Sequence, residues 1–147
     1  MLENEKEMIG RLLANVCRIH GTKANHCFDQ LGIYRGQAFL LKILSDRDGL
    51  THSEIAEIME ISPAAATKVI KRMEHNKYIL RQPDPKDERL SRVYIQEAGI
   101  ALINQIDQSF QQLHQAMFEG FTQDDLNRFH ALLMLIRNNL EKINFNF

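Results

Sequence analysis

The sequence predicts a mainly α-helical fold with one small β-hairpin. Apolar residues recur every three or four positions over most of the 147-residue chain, which is the period of an amphipathic helix. Only the segment from 78 to 96 contains short runs with the alternation of a half-buried strand. Three prolines and seven glycines leave little material for long loops. Residues 1–147 are therefore predicted to form a single domain with a sizeable core.

The chain begins with two predicted helices. In the first, over residues 5–29, the apolar side chains form one stripe at spacings of three and four: Met8, Leu12, Val16 and Ile19. Gly32 ends this helix, because glycine readily takes the left-handed conformation found just after a helix. The second helix covers residues 34–45 and is closed by Asp48 and Gly49.

Two shorter helices are predicted next, each with a hydroxyl side chain to accept a bond from a free backbone N–H of its first turn. Thr51 or Ser53 can cap the third helix, and Ser62 caps the fourth. Pro63 stands at the first position of the fourth helix, where its missing N–H costs nothing. This helix runs to about Asn76, so the pair is predicted to be a helix-turn-helix.

A hairpin follows, with strands near residues 78–82 and 92–96 on either side of a polar loop, 84–91. Helix-turn-helix plus wing is an arrangement that places one helix and one hairpin against duplex DNA. Residues 33–97 are therefore predicted to be a winged helix-turn-helix module.

The last third of the chain is predicted to form two long helices. Apolar residues recur there at spacings of three and four, and Thr122 is placed to cap the second of them. Together with the first helix, these segments carry more apolar stripes than one small module needs. Residues 1–30 and 98–147 are therefore predicted to be dimerisation helices, with packing inside one core as the alternative.

The charge distribution agrees with a DNA partner. The chain has a net charge of −1, yet residues 62–92 hold eight basic and four acidic side chains. The rest of the chain holds ten basic and fifteen acidic ones. A basic patch on an acidic body is the footprint of an oriented DNA binder, and a solvated charged face is the alternative.

The fourth helix is suited to enter a major groove, because Ala64, Ala65 and Ala66 make its leading edge narrow. One turn further along the helix, Thr67 and Lys68 are placed to contact bases or phosphates. The next two basic residues, Lys71 and Arg72, are placed to contact phosphates. The alternative for Arg72 is a structural ion pair inside the module. The candidate DNA-contacting residues of this helix are Ser62, Ala64, Ala65, Thr67, Lys68, Lys71 and Arg72.

Other classes of protein find less support. The sequence has no Gly-rich phosphate loop and no Gly-x-Ser-x-Gly or His-Glu-x-x-His motif, so an enzyme is not predicted. Its first residues lack the features of a signal peptide, and no apolar run is long enough to cross a membrane. Its two cysteines provide no disulfide framework, and a cytoplasmic location is predicted.

In order and spacing, these segments resemble the MarR family of winged helix-turn-helix regulators over nearly the whole chain. The matching pieces are Ser-Pro-Ala-Ala-Ala-Thr-Lys at 62–68, Arg72-Met73-Glu74, Ile79, Arg81, Asp84-x-x-Asp87-x-Arg89, Val93-x-Ile95 and Gly99. The chain departs from the family at Lys77, where glycine is frequent, and at Gln96, where threonine is frequent. A left-handed turn residue is then expected at Asn76 or Lys77.

The resemblance implies a cytoplasmic homodimer that represses transcription from a pseudo-palindromic operator and is released by a small ligand. It implies that the wing arginine, here Arg89, reaches into a minor groove, and that Asp87 holds this arginine or the turn. The candidate DNA-binding residues of the wing are Lys86, Asp87 and Arg89. It also implies a small anionic aromatic effector between the dimer helices and the winged module. Candidate lining residues are Arg18, Tyr34 and Arg35, with surface charges as the alternative for both arginines.

Two other readings stay open. A winged helix can serve as a protein–protein interaction module, which would not need a basic recognition helix and wing. Some members of the resembled family sense zinc or peroxide, and Cys17, His20, His26 and Cys27 lie close in sequence. Their spacing matches no closed zinc pattern, so no metal or cofactor is predicted. Cys17 is expected to be a small buried apolar group.

Overall fold

The computed structural model describes residues 2–143. Its helices are α1 (Leu2–Gln30), α2 (Arg35–Asp46), α3 (His52–Ile58), α4 (Pro63–His75), α5 (Glu97–Met117) and α6 (Gln123–Glu141). Its strands are β1 (Leu50–Thr51), β2 (Ile79–Pro83) and β3 (Ser91–Ile95). Met1 and residues 144–147, which end the predicted dimerisation segments, lie outside the described residues. The predicted mainly α-helical winged helix-turn-helix fold is confirmed.

The sheet contains one strand more than the predicted hairpin. Its order is β1-β3-β2, and both pairings are antiparallel. Leu50 pairs with Val93 on one side of β3, and Arg81 pairs with Val93 on the other. A strand of two residues is too short to produce an alternating pattern, so β1 is visible only in its pairing.

The core of the module is built from α2, α3, α4 and the sheet. Its fully buried side chains include Leu40, Leu41 and Leu44 on α2, Ile70 and Met73 on α4, and Ile55, Ile79 and Val93 on the neighbouring elements. This apolar burial holds the helix-turn-helix against the base of the wing. The start of α5 packs against the start of the hairpin so closely that a Cβ on Gly99 would overlap the Tyr78 carbonyl oxygen.

Both helices of the helix-turn-helix end in a left-handed residue that is not glycine. After α3, Glu60 has φ 53°, and Ile61 N–H donates to the Ala56 carbonyl at 3.1 Å. After α4, Lys77 has φ 61°, and Tyr78 N–H donates to the Met73 carbonyl at 3.0 Å. These are Schellman motifs, in which a left-handed residue lets the chain turn away while free carbonyls are satisfied. Of the two residues at which the sequence predicts a left-handed conformation, Asn76 and Lys77, it is Lys77 that adopts it.

The chain divides into two compact units, Met1–Leu113 and His114–Phe147. In the second unit, Thr122 caps α6 by accepting the Asp125 N–H at 3.2 Å. Three aromatic rings pack together there, with centroids 5.5–6.3 Å apart: Phe118, Phe121 and Phe129. None of the helices within residues 2–143 is long and apolar enough to span a membrane.

Candidate nucleic-acid interface

The recognition helix α4 starts as the sequence predicts. Ser62 accepts the Ala65 N–H at 3.1 Å, and Pro63 occupies the first turn. The Thr67 hydroxyl donates to the Pro63 carbonyl at 2.9 Å, so this side chain lies along its own helix with its oxygen free to accept. The start of the helix is therefore fixed before any ligand binds.

The two faces of α4 separate core residues from candidate contacts. Ala66, Ile70 and Met73 are buried, while Ala64 is exposed and Ala65 is partly exposed. Ala66 therefore belongs to the core and not to the narrow leading edge, because it lies one turn before Ile70 on the inner face. The basic residues on the outer face are exposed: Lys68, Lys71 and Arg72.

The base of the wing is organised around Asp84, whose side chain is buried within the loop. Its Oδ1 accepts the backbone N–H groups of Lys86 and Asp87 at 2.7 and 3.1 Å. Its Oδ2 accepts from Arg92 Nε, and Arg92 also donates to the Gly49 carbonyl at 2.7 Å. The Lys86 N–H, followed by the Arg92 guanidinium, holds the pKa of Asp84 below its ordinary value. Sequence reasoning missed Arg92 and Gly49, which lie 43 residues apart.

Arg89 is presented from the wing by Asp87. Its Nε and a terminal nitrogen donate to the two Asp87 carboxylate oxygens at 2.9 and 3.0 Å, and the Arg89 side chain is 89% exposed. The expected contact between Asp87 and Arg89 is thus present. It lowers the pKa of Asp87, since the ionised form receives both bonds. Lys86, two residues after Asp84, is also exposed.

A second ion pair links the recognition helix to the hairpin. Arg81 Nε on β2 donates to Glu74 Oε2 on α4 at 2.9 Å, and this bond lowers the pKa of Glu74. His52, the first residue of α3, lies beside them. Its Nε2 is buried and has no hydrogen-bond partner among the described residues. Burial foremost, and then the charge of Arg81, lower the pKa of His52.

Arg72 has a different kind of partner. Its Cζ lies 5.0 Å from the centroid of the Tyr34 ring, in a cation–π contact. Tyr34 precedes α2, and its backbone N–H donates to Gln37 Oε1 at 2.8 Å. The ion pair considered for Arg72 from the sequence is therefore replaced by a contact with an aromatic ring.

A cleft of about 610 Å³ lies in the first unit, beside the helix-turn-helix. Arg35 lines it, whereas Arg18 donates to Asn15 at 2.9 Å and Tyr34 contacts Arg72, and neither lines the cleft. Lys42 lies two turns after Arg35 on the same face of α2, a spacing from which the sequence could have predicted it. The lining residues are Phe28, Arg35, Gly36, Ala38, Phe39, Lys42, Met59, Ile61, Ile103, Ile106, Asp107 and Phe110.

The cysteine prediction fails in one respect. Cys17 is exposed on α1, so the expectation that it is buried is wrong. Cys27 is partly exposed. Over residues 2–143 there is no group of three or more His, Cys, Asp or Glu side chains that could hold a metal ion.

Comparison with known proteins agrees with this geometry. The sequence model of the MarR family matches residues 33–91. The chain is 24% identical to the HTH-type transcriptional regulator YybA of Bacillus subtilis, over 92% of this chain and 85% of YybA. It is 28% identical to the HTH-type transcriptional repressor IacR of Pseudomonas putida, over 71% of this chain and 62% of IacR.

The fold also matches solved structures. A point mutant of S. aureus MepR bound to an oligodeoxyribonucleotide superposes with a TM-score of 0.72 at 22% identity, over 90% of this chain and 97% of MepR. The findings agree with one another: the family model matches the helix-turn-helix and wing, the relatives match most of the chain, and the fold is shared. Residues 33–91, which form the helix-turn-helix and the wing up to the start of β3, match the MarR family of winged helix-turn-helix transcriptional regulators, and the chain shares its fold with MepR.

Proposed function

We propose that this regulator is a homodimeric repressor that binds a pseudo-palindromic operator in the cytoplasm and is released by a small ligand. One observation carries the proposal: exposed cations stand on the outer face of α4 while Arg89 stands on the wing, 89% exposed. A helix and an adjacent hairpin that both present basic side chains fit a major groove and its neighbouring minor groove.

Each part of the surface has its own task in this proposal. The start of α4 brings Ser62, Ala64, Ala65, Thr67 and Lys68 to base edges and nearby phosphates. Lys71 and Arg72 meet the phosphate backbone, which positions the helix without reading sequence. On the wing, Asp87 aims Arg89 into the minor groove and Lys86 meets the flanking phosphates.

Dimerisation is supported by the apolar side chains that the single chain leaves exposed. On α1, Met8 and Leu12 are 64% and 61% exposed, and on α6, Leu132 and Leu140 are 58% and 60% exposed. Apolar surface in this quantity is typical of a protein–protein interface. We propose that residues 1–30 and 98–147 form the dimer contact, while residues 33–97 read DNA. The two-fold axis of such a dimer sets the spacing of two half-sites.

We place the effector in the cleft of about 610 Å³, a volume suited to a small molecule. Its walls are mainly apolar, and Arg35 and Lys42 add two cations on one side, with Asp107 on α5. An apolar ring with an anionic group fits this lining, because the ring covers the apolar wall and the anion meets the cations. Met59 and Ile61, which flank the turn before α4, also line the cleft, so an occupant contacts the helix-turn-helix directly.

Fluorescence anisotropy on the duplex upstream of the protein's own gene tests the proposal. We would measure wild type and Arg89→Ala over a salt series, with an excess of unrelated duplex as competitor. The expected result is tight binding that resists the competitor, weakens on the substitution and loses about one unit of salt slope per phosphate-neutralising charge removed. Arg128→Ala is the matched control, because Arg128 is also exposed and paired with a carboxylate, that of Asp124.

Two outcomes argue against the proposal. Binding that any duplex displaces equally would reject a specific operator at this position. Absence of binding to every duplex would favour an interaction module in which the winged helix contacts protein.

A further inference from the structure

The geometry points to Tyr34 as a positioning residue for DNA binding, whose ring holds the guanidinium of Arg72 in place on the recognition helix. The inference rests on the proposed operator binding. It gives Tyr34 a task different from effector binding, since this side chain does not line the cleft.

The Tyr34 ring projects from a well-fixed backbone. The backbone N–H of Tyr34 donates to the side chain of Gln37, which is only 4% exposed. The carbonyl of Tyr34 accepts the N–H groups of Gln37 and Ala38 at 2.9 and 3.1 Å, and the residue before Tyr34, Ile33, is buried. Tyr34 is itself 60% exposed, so its ring serves the surface and not the core.

Arg72 differs in its partner from the other arginines of the basic 62–92 segment. Arg81, Arg89 and Arg92 each donate to a carboxylate, those of Glu74, Asp87 and Asp84. Within the described part of the chain, Arg72 has a ring as its partner and no carboxylate. Its positive charge is therefore not neutralised, and DNA does not have to displace an acid in order to reach it.

A ring is a suitable partner for an arginine that must still bind phosphate. A guanidinium on an aromatic face keeps its N–H groups available at its edge, where they can donate to phosphate oxygens. The contact also restricts a long side chain before DNA arrives, so less conformational entropy is lost on binding. Lys71, the neighbouring cation, makes no such ring contact among the described residues. In the proposed complex its side chain must therefore be ordered when it binds DNA.

The test is a double-mutant cycle on operator affinity. Tyr34→Leu removes the ring, Tyr34→Phe keeps the ring without the hydroxyl, and Arg72→Ala removes the guanidinium. At an exposed cation–π contact, we expect Tyr34→Leu to weaken binding about two- to fivefold for each recognition helix engaged. We expect Tyr34→Phe to bind like wild type. In the Arg72→Ala background, Tyr34→Leu should cause no further loss, because the partner of the ring is gone.

Three results would overturn the role of Tyr34: equal affinity of Tyr34→Leu and wild type, a Tyr34→Phe defect as large as that of Tyr34→Leu, or a full Tyr34→Leu defect without Arg72. Thermal unfolding of each variant checks the fold, since the backbone bonds of Tyr34 do not use its ring. The Arg89→Ala variant separates the two proposals. If Arg89→Ala weakens binding and Tyr34→Leu does not, operator binding stands and only the positioning role falls. If wild type binds no duplex, both fall.

Discussion

Arg92 joins two parts of the chain: its Nε donates to the buried carboxylate of Asp84, and a terminal nitrogen donates to the Gly49 carbonyl at 2.7 Å. A single guanidinium thus attaches the wing to the loop before β1. The backbone at Lys86 and Asp87 is fixed by the same carboxylate, so the direction in which Arg89 points depends on Asp84.

Asp84→Asn is therefore expected to weaken operator binding without unfolding the protein. The amide oxygen can still accept the two backbone N–H groups, but the amide NH₂ then faces the guanidinium of Arg92. A wing released in this way should bind with affinity reduced about tenfold, the order expected when a positioned arginine contact is lost. Anisotropy gives the affinity, and hydrogen exchange over residues 84–91 reports the opening of the wing.

Glu88→Gln is the control for Asp84→Asn, because it removes an exposed wing carboxylate and the same charge. Loss of a negative charge near DNA should leave its binding unchanged or slightly stronger. If the two variants bind alike, Asp84 acts through its charge and not by holding the wing.

Local features of this fold could be predicted from the sequence, because their causes are local. Ser62 and Thr122 cap the helices that they were predicted to cap, and for the third helix the structure selects Thr51, which accepts the Glu54 N–H at 3.3 Å. The contact between Asp87 and Arg89 spans two residues and was also expected.

Contacts between distant residues were not predictable in this way. Arg92 meets Gly49 across 43 residues of sequence, and Tyr34 lies far from Arg72 along the chain. The net charge of the 62–92 segment also gave no sign that Arg81 and Arg92 face acids, because those two pairings form only when β2, β3 and α4 are assembled. No local period or spacing encodes that assembly.

Lys77→Gly is expected to stabilise the module. Lys77 is held at φ 61°, where a Cβ is disfavoured and glycine is not. After allowance for the greater freedom of glycine in the unfolded chain, the gain in unfolding free energy should be about 0.5–1 kcal/mol. Urea denaturation measures it.

Lys77→Ala separates backbone strain from charge, since it removes the ammonium and keeps the Cβ. Its stability should remain close to that of wild type. An equal gain for both variants would mean that the charge of Lys77, and not its backbone, limits stability.

Stability should fall as the pH falls below about 7, in part through His52. Burial and the charge of Arg81 hold the pKa of His52 in the folded chain below the ordinary 6.5 of the unfolded chain. At a pH between the folded and the unfolded pKa, the unfolded chain therefore binds more protons than the folded chain. The stabilisation by neutral His52 is complete above the unfolded pKa and is lost as the pH approaches the folded pKa. Glu74 adds a second loss at lower pH, because its pKa is also lowered in the folded chain.

Urea midpoints at about pH 7.5, 6.5 and 5.5 measure this dependence. His52→Gln cannot titrate and should show a smaller decrease over the range. His75→Gln, at an exposed position of α4, should behave as wild type does. Parallel curves for wild type and His52→Gln would assign the acid sensitivity to other groups.

Leu12→Glu should convert the proposed dimer into monomers. Leu12 is 61% exposed in the single chain and lies on the same stripe of α1 as Met8 and Val16. A carboxylate buried at this position in a dimer would have no cation to pair with in the apolar stripe, and an unpaired buried charge is costly. The folded monomer loses nothing, since the position is already exposed to water. Analytical ultracentrifugation should therefore show half the mass, with unchanged helix content.

Ala14→Glu is the matched control for Leu12→Glu. Two residues further along α1, its side chain points to nearly the opposite side of the helix and is exposed. This variant should keep the mass and the operator affinity of wild type. The Leu12→Glu monomer should bind the operator far more weakly, because one half-site is engaged at a time and the second contact is no longer intramolecular. A Leu12→Glu protein that keeps its mass would place the dimer contact away from this stripe.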